Sequence, residues 1–143
     1  MEYDPVEALR LDNQLCFPLY AAARKVTGLY TPYLKPLGLT YTQYIVMLVL
    51  WEKDGLSLGE IGERLYLDSG TLTPLLKKLE TDGLVSRRRS ESDERSVIVT
   101  LTDGGAALKA KAAGVPLAVG SCIPLEPQEA AELYRLLHKI MDM

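Results

Sequence analysis

The sequence predicts a mainly α-helical chain that carries one small β-hairpin, on three observations. Apolar residues recur at three- and four-residue steps through most of the 143 positions, the spacing of a single buried helix face. Start and stop signals, a Ser, Thr or Asp before a periodic run and a Gly after it, punctuate the runs. Residues 84–101 depart from that period and take on β-branched, alternating character around a polar turn, which marks a hairpin.

Residues 11–33 read as one long amphipathic helix, with Leu11, Leu15, Leu19, Ala22, Val26, Leu29 and Tyr33 on a common face. Pro18 removes a backbone donor inside it, so a bend is expected within a turn of Cys16. The next helix starts near Thr40, with Thr40 or Thr42 as its cap, and passes through Tyr44, Met47, Leu48 and Trp51 to a stop at Asp54-Gly55. Ser57, with Glu60 three residues on, forms a capping box for a short helix over residues 58–65.

Asp68-Ser69 opens a fourth helix in which Leu72, Leu75, Leu76 and Leu79 face the core. Its opposite face carries Ser69, Thr71, Thr73, Lys77 and Lys78. Pro74 predicts that the regular ladder starts late or that the first turn is bent. Asp82-Gly83 ends the helix, and residues 84–89 and 95–101 form the hairpin around a turn at 90–94. Thr102 caps a helix to about Ala113, residues 114–127 form a broken connection rich in Gly and Pro, and a last helix over 130–141 aligns Leu133, Leu136, Leu137 and Ile140.

With 48% hydrophobic residues, the chain has the length and core for one domain over 1–143. A net charge of −3 excludes a protein that coats nucleic acid nonspecifically, so contact with DNA must come from a local concentration of cations. Residues 77–89 provide one, with Lys77, Lys78, Arg87, Arg88 and Arg89 against Glu80 and Asp82. The apolar run at 45–51 ends at Glu52, too short for a bilayer, and the N-terminal MEYDPVEALR lacks the basic and apolar regions of a signal peptide. A cytoplasmic protein without membrane contact is expected. Cys16 and Cys122 have no metal-site spacing, and a permanent disulfide is not expected in a reducing compartment. Redox chemistry or burial remains for them, and no metal or cofactor is expected.

Three helices, a hairpin and flanking helices make a winged helix-turn-helix, whose recognition helix has the width of the DNA major groove. The hydroxyls and lysines of Ser69, Thr71, Thr73, Lys77 and Lys78 can approach bases and phosphates there. Arg87, Arg88, Arg89 and Arg95 on the hairpin could hold phosphates or enter the adjacent minor groove.

LDNQLCFPLY, LTYTQYIVMLVLWE, LYLDSGTLTPLLKKLE and SDERSVIVTLT resemble the MarR family of winged-helix regulators, and within it the organic-hydroperoxide-sensing OhrR-type repressors. The resemblance covers residues 11–102. It implies that residues 40–102 bind DNA, with 69–78 in the major groove and Asp93 orienting Arg95 for the minor groove. It also implies that residues 9–36 and 103–143 intertwine two subunits into a homodimer on a palindromic operator.

For sensing, the resemblance implies that Cys16 is the reactive cysteine and that Tyr30 and Tyr41 hydrogen-bond its sulfur, one of them reaching across the dimer. Tyr20 lies one helical turn beyond Cys16. Eight tyrosines against a single phenylalanine fit such a pocket, because phenols donate hydrogen bonds while their rings keep the site apolar. Cys16 oxidised by an organic hydroperoxide would give a sulfenic acid that condenses with a second thiol. Cys122 places the chain with the two-cysteine type, in which the other subunit's second cysteine traps that acid. A thiol peroxidase, or a regulator released by a small phenolic ligand, is the competing expectation. His138, the only histidine, is expected at the surface near a helix C-terminus.

Overall fold

The computed structural model describes residues 4–143; the first three residues of the N-terminal stretch considered for a signal peptide lie outside them. Asp4 caps a short helix α1 (Pro5–Ala8), its Oδ1 accepting the Val6 amide at 2.9 Å. A 3-10 turn follows at Leu11–Asn13, pinned by Gln14 Nε2 donating to the Ala8 and Arg10 carbonyls at 2.7 and 2.8 Å.

The expected long helix is therefore broken. Its main part is α2 (Cys16–Leu29), and a separate short helix α3 (Thr31–Leu34) leads through a 3-10 turn to Gly38. Because α2 starts at Cys16, Pro18 falls in its first turn, where amides have no intrahelical acceptor. The proline deletes no ladder bond there, and the reason for a bend at Pro18 disappears.

α4 (Tyr41–Glu52) is set by a reciprocal cap: Thr40 Oγ1 accepts the Gln43 amide at 3.3 Å and Gln43 Oε1 accepts the Thr40 amide at 3.0 Å. β1 (Leu56–Ser57) and α5 (Leu58–Leu65) come next, the latter opened by the Ser57–Glu60 box. Tyr66 closes α5 in the left-handed region at φ 56°. Asp68 caps α6 (Ser69–Thr81), which runs continuously from the position expected, with Pro74 on its exposed side.

β2 (Val85–Arg89) and β3 (Val97–Leu101) pair antiparallel with Arg87 opposite Val99. β1 pairs with the other edge of β3, Leu56 opposite Val99, giving the order β1-β3-β2. Sequence patterning missed β1 because two residues show no period. Thr102 caps α7 (Asp103–Ala112), and a further helix α8 (Val115–Gly120) occupies the first part of the segment expected to be irregular. α9 (Pro127–Met141) completes the fold.

The core lies in the winged part: Met47 and Leu50 of α4, Ile61 of α5, Leu72, Leu76 and Leu79 of α6, and Val85 and Val99 of the sheet are all at most 2% exposed. α2 and α9 bury no residue, although each has an apolar side. Leu19, Ala22 and Val26 of α2 face Leu133, Tyr134 and Leu137 of α9 across an open groove of about 460 Å³. No helix among the described residues is long and apolar enough to cross a membrane.

Candidate nucleic-acid interface and redox site

On α6 the burial of Leu72, Leu76 and Leu79 forces Ser69, Thr71, Lys77 and Lys78 outward. The Asp68 carboxylate accepts the Thr71 amide at 2.7 Å, and this bond holds its pKa below the ordinary carboxylate value. Thr73 differs from its neighbours: it is half-buried and its hydroxyl donates to the Ser69 carbonyl at 2.7 Å. Lys78 pairs with Asp82 at 3.0 Å, one turn on. An exposed pair of this kind is worth under about 1 kcal/mol and exchanges readily for a phosphate. Lys77 pairs with no carboxylate among the described residues.

The hairpin turn is held by backbone bonds, Ser90 N–H to the Ser96 carbonyl at 2.8 Å and Ser96 N–H to the Asp93 carbonyl at 2.9 Å. Asp93 Oδ1 also accepts the Arg95 amide at 3.0 Å. Asp93 thus shapes the tip through the Arg95 backbone, and among the described residues the two side chains form no ion pair. That leaves the Arg95 guanidinium exposed, as Arg88 is; Arg89 reaches the Glu94 carbonyl only at 3.4 Å.

Arg87 departs from the expected row of available arginines. Strand alternation turns Val85 and Arg87 to one face and Ser86 and Arg88 to the other. Arg87 Nη2 donates to Glu80 Oε1 at 3.1 Å and its amide to Glu80 Oε2 at 3.0 Å. These bonds hold the Glu80 carboxyl below its ordinary pKa.

Cys16 is the first residue of α2 and is exposed. Tyr20 is also exposed, with the Arg24 guanidinium 5.6 Å from its ring centre. Tyr30 and Tyr41 sit together, ring centres 4.9 Å apart. Tyr44, which the sequence reading passed over as a core residue, lies 5.6 Å from Tyr30 and is only 2% exposed. Burial, and next the neighbouring phenols, push the Tyr41 and Tyr44 hydroxyls above their usual pKa, so both stay protonated donors at neutral pH.

Tyr30 is the residue that closes α2, whereas Cys16 opens it. At about 1.5 Å per residue the two ends are roughly 20 Å apart. Tyr41 is tied to Tyr30 by ring contact, so neither tyrosine reaches the Cys16 of its own chain. The contact expected between Cys16 and one of the two tyrosines within the same chain is therefore not made here.

Cys122 follows α8; its amide donates to the Val119 carbonyl at 2.9 Å and its Sγ to the Ala118 carbonyl at 3.3 Å. It is an exposed free thiol in the irregular connection between α8 and α9, as the sequence led one to expect. His138 is half-buried near the end of α9, its ring 4.0 Å from that of Tyr134.

Residues 28–112 match the model of the transcriptional regulator SarA/Rot family. The organic hydroperoxide resistance transcriptional regulator of Bacillus subtilis is 50% identical over 128 residues, covering 90% of this chain and 85% of that one. Reduced AbfR bound to DNA superimposes with a TM-score of 0.79 at 43% identity, over 95% of this chain and 93% of the other. Disulfide-formed AbfR superimposes with a TM-score of 0.66 at 44% identity, over 94% and 95%. AbfR is a protein of Staphylococcus epidermidis.

Proposed function

The chain belongs to the MarR-type winged-helix regulators matched by the SarA/Rot family model, and from that premise we propose that it is a dimeric DNA-binding repressor that senses organic hydroperoxides through Cys16. Oxidation then releases it from its operator. The observation that carries this is one chain holding both an exposed cysteine at a helix start and a helix-and-wing surface of outward cations. A thiol peroxidase reading loses weight because the relatives are transcriptional regulators.

As a single domain over 1–143, residues 40–102 read DNA and residues 9–36 and 103–143 pair the subunits. The apolar groove between α2 and α9 is the surface this pairing covers. Ser69, Thr71, Thr73, Lys77 and Lys78 enter the major groove, Arg88 and Arg89 hold phosphates, and Arg95 enters the minor groove of a palindromic operator. Its place of action is the cytoplasm. Arg95→Ala should lose about 1–3 kcal/mol of DNA affinity with no change in thermal unfolding, since its side chain is exposed. Filter binding at fixed salt measures this, and unchanged affinity would remove Arg95 from the contact surface.

Tyr30 and Tyr41 act as a pair on the Cys16 of the other subunit, since α2 holds them far from their own. The Cys16 thiolate attacks the distal peroxide oxygen, the O–O bond breaks, and the alkoxide leaves and takes a proton to become the alcohol. The resulting sulfenic acid condenses with the Cys122 thiol of the other subunit, releasing water and forming a disulfide. Cys122 connects to the wing by a short route, α8 then α7 then β3. Movement of Cys122 toward Cys16 therefore bears directly on the hairpin.

A gel-shift titration of the reduced protein on a duplex from its own promoter region tests the reading. Stoichiometric cumene hydroperoxide should abolish the complex and give a reductant-sensitive dimer band on a denaturing gel, absent in Cys122→Ser. A complex that persists through complete oxidation would refute the release mechanism. Release by a phenolic ligand alone would favour the effector reading.

A further inference from the structure

We propose that Arg87 and Glu80 form a clamp that sets the angle of the wing against the recognition helix, and that Arg87 is a positioning residue and not a phosphate contact. The inference rests on the DNA-binding reading. Both members of the pair sit where that angle is decided, Glu80 in the last turn of α6 and Arg87 at the middle of β2.

The geometry is that of a two-point fixture. One carboxylate takes both the backbone amide and the guanidinium of Arg87, at 3.0 and 3.1 Å. A backbone bond fixes the strand itself, and the side-chain bond fixes the direction from which the carboxylate approaches. Such charge-assisted pairs are stronger and more directional than neutral ones. The Arg87 side chain is only 22% exposed, against 61% for Lys78 on the same surface. Its Nε is buried and has no hydrogen-bond partner among the described residues. Swinging the head group out to a phosphate would break its bond to Glu80 Oε1 and leave the carboxylate held by the backbone amide alone, so the enclosed arginine works by holding the wing.

The clamp is also needed where it stands. β2 is an edge strand of a sheet whose other edge, β1, is two residues long. Among the described residues, the hydrogen bonds that hold the exposed tip come from within the hairpin itself. Without Glu80, the outer part of β2 and β3 is free to pivot about the buried Val85 and Val99, and the arginines beyond lose their register with α6.

The test turns on a sign. Glu80 is a negative charge next to the DNA-facing cations, so electrostatics alone predicts that Glu80→Ala tightens DNA binding. The clamp predicts the opposite: a loss of roughly five- to tenfold, about the net worth of one ordinary hydrogen bond. Arg87→Ala should lose a similar amount, the double variant should be no worse than either single one, and the slope of log affinity against log salt should stay as in the parent. Amide hydrogen exchange at Arg87 should accelerate in Glu80→Ala in the absence of DNA. Parental or tighter binding by Glu80→Ala, with a salt slope lowered by about one in Arg87→Ala, would overturn the clamp and restore Arg87 as a phosphate contact. If the parent itself binds no operator, the DNA reading fails, and hydrogen exchange alone judges the clamp.

Discussion

Cys16→Ser protein should remain on its operator at a hydroperoxide concentration that releases the parent completely. The substitution replaces sulfur by oxygen in a side chain of nearly the same shape, at an exposed position at the start of α2. A serine hydroxyl is almost wholly protonated at neutral pH and is not a nucleophile toward a peroxide bond, whereas a thiolate is. No sulfenic acid forms, Cys122 has nothing to condense with, and the DNA-bound arrangement has no reason to change. Reduced affinity should match the parent, because Cys16 contributes no burial within the subunit. Gel-shift titrations with oxidant, backed by mass spectrometry of each thiol, measure the effect. Release of the serine variant at the parental concentration would end the case for Cys16 as sensor.

Gly105→Ala should lose about 4 kcal/mol of stability or more, enough to unfold a marginal domain. Gly105 lies in the first turn of α7 where it crosses the entry to β2, and a Cβ built there falls on the Leu84 carbonyl. That atom belongs to backbone, and the same carbonyl accepts the Thr102 amide at 3.1 Å, so it cannot rotate aside as a side chain would. Gly105 also closes two other links, its amide donating to Thr102 Oγ1 at 3.1 Å and its carbonyl accepting Trp51 Nε1 at 2.9 Å. Shifting α7 to make room would break the junction of α4, the wing and α7 together. Gly59→Ala is the control, because the nearest atom to its Cβ is Ser57 Oγ at 3.9 Å and alanine favours a helix by roughly 0.5–1 kcal/mol over glycine. Thermal unfolding at matched protein concentration compares them. Equal stability of Gly105→Ala and the parent would show that α7 accommodates the methyl group.

The helix starts at Thr40, Ser57, Asp68 and Thr102 were legible because a cap is an interaction between residues three apart, and three-residue patterns are visible in a string of letters. The core face of α6 was legible for the same reason: helical period alone brings Leu72, Leu76 and Leu79 together. Period was also what misled at the N-terminus, where Leu11 and Tyr33 continue the apolar spacing of α2 although the Gln14 side chain and Pro32 end its helix on either side. The Gly and Pro content around Cys122 correctly marks its connection as irregular but hides α8 just before it, because Pro116 stands at the start of that helix, where it is tolerated.

By itself the sequence determined the order and type of the main elements, the polar face of α6, the hairpin and the two cysteines. All of these follow from residue identity and spacing over one or two turns. Only the tertiary structure decided that Arg87 faces Glu80 and not solvent, that β1 completes the sheet by pairing across more than forty intervening residues, and that Trp51 anchors α7 through Gly105. It also decided that the tyrosine pair and Cys16 lie at opposite ends of α2. Such contacts are set by how elements pack, and packing joins residues whose separation along the chain carries no periodic trace.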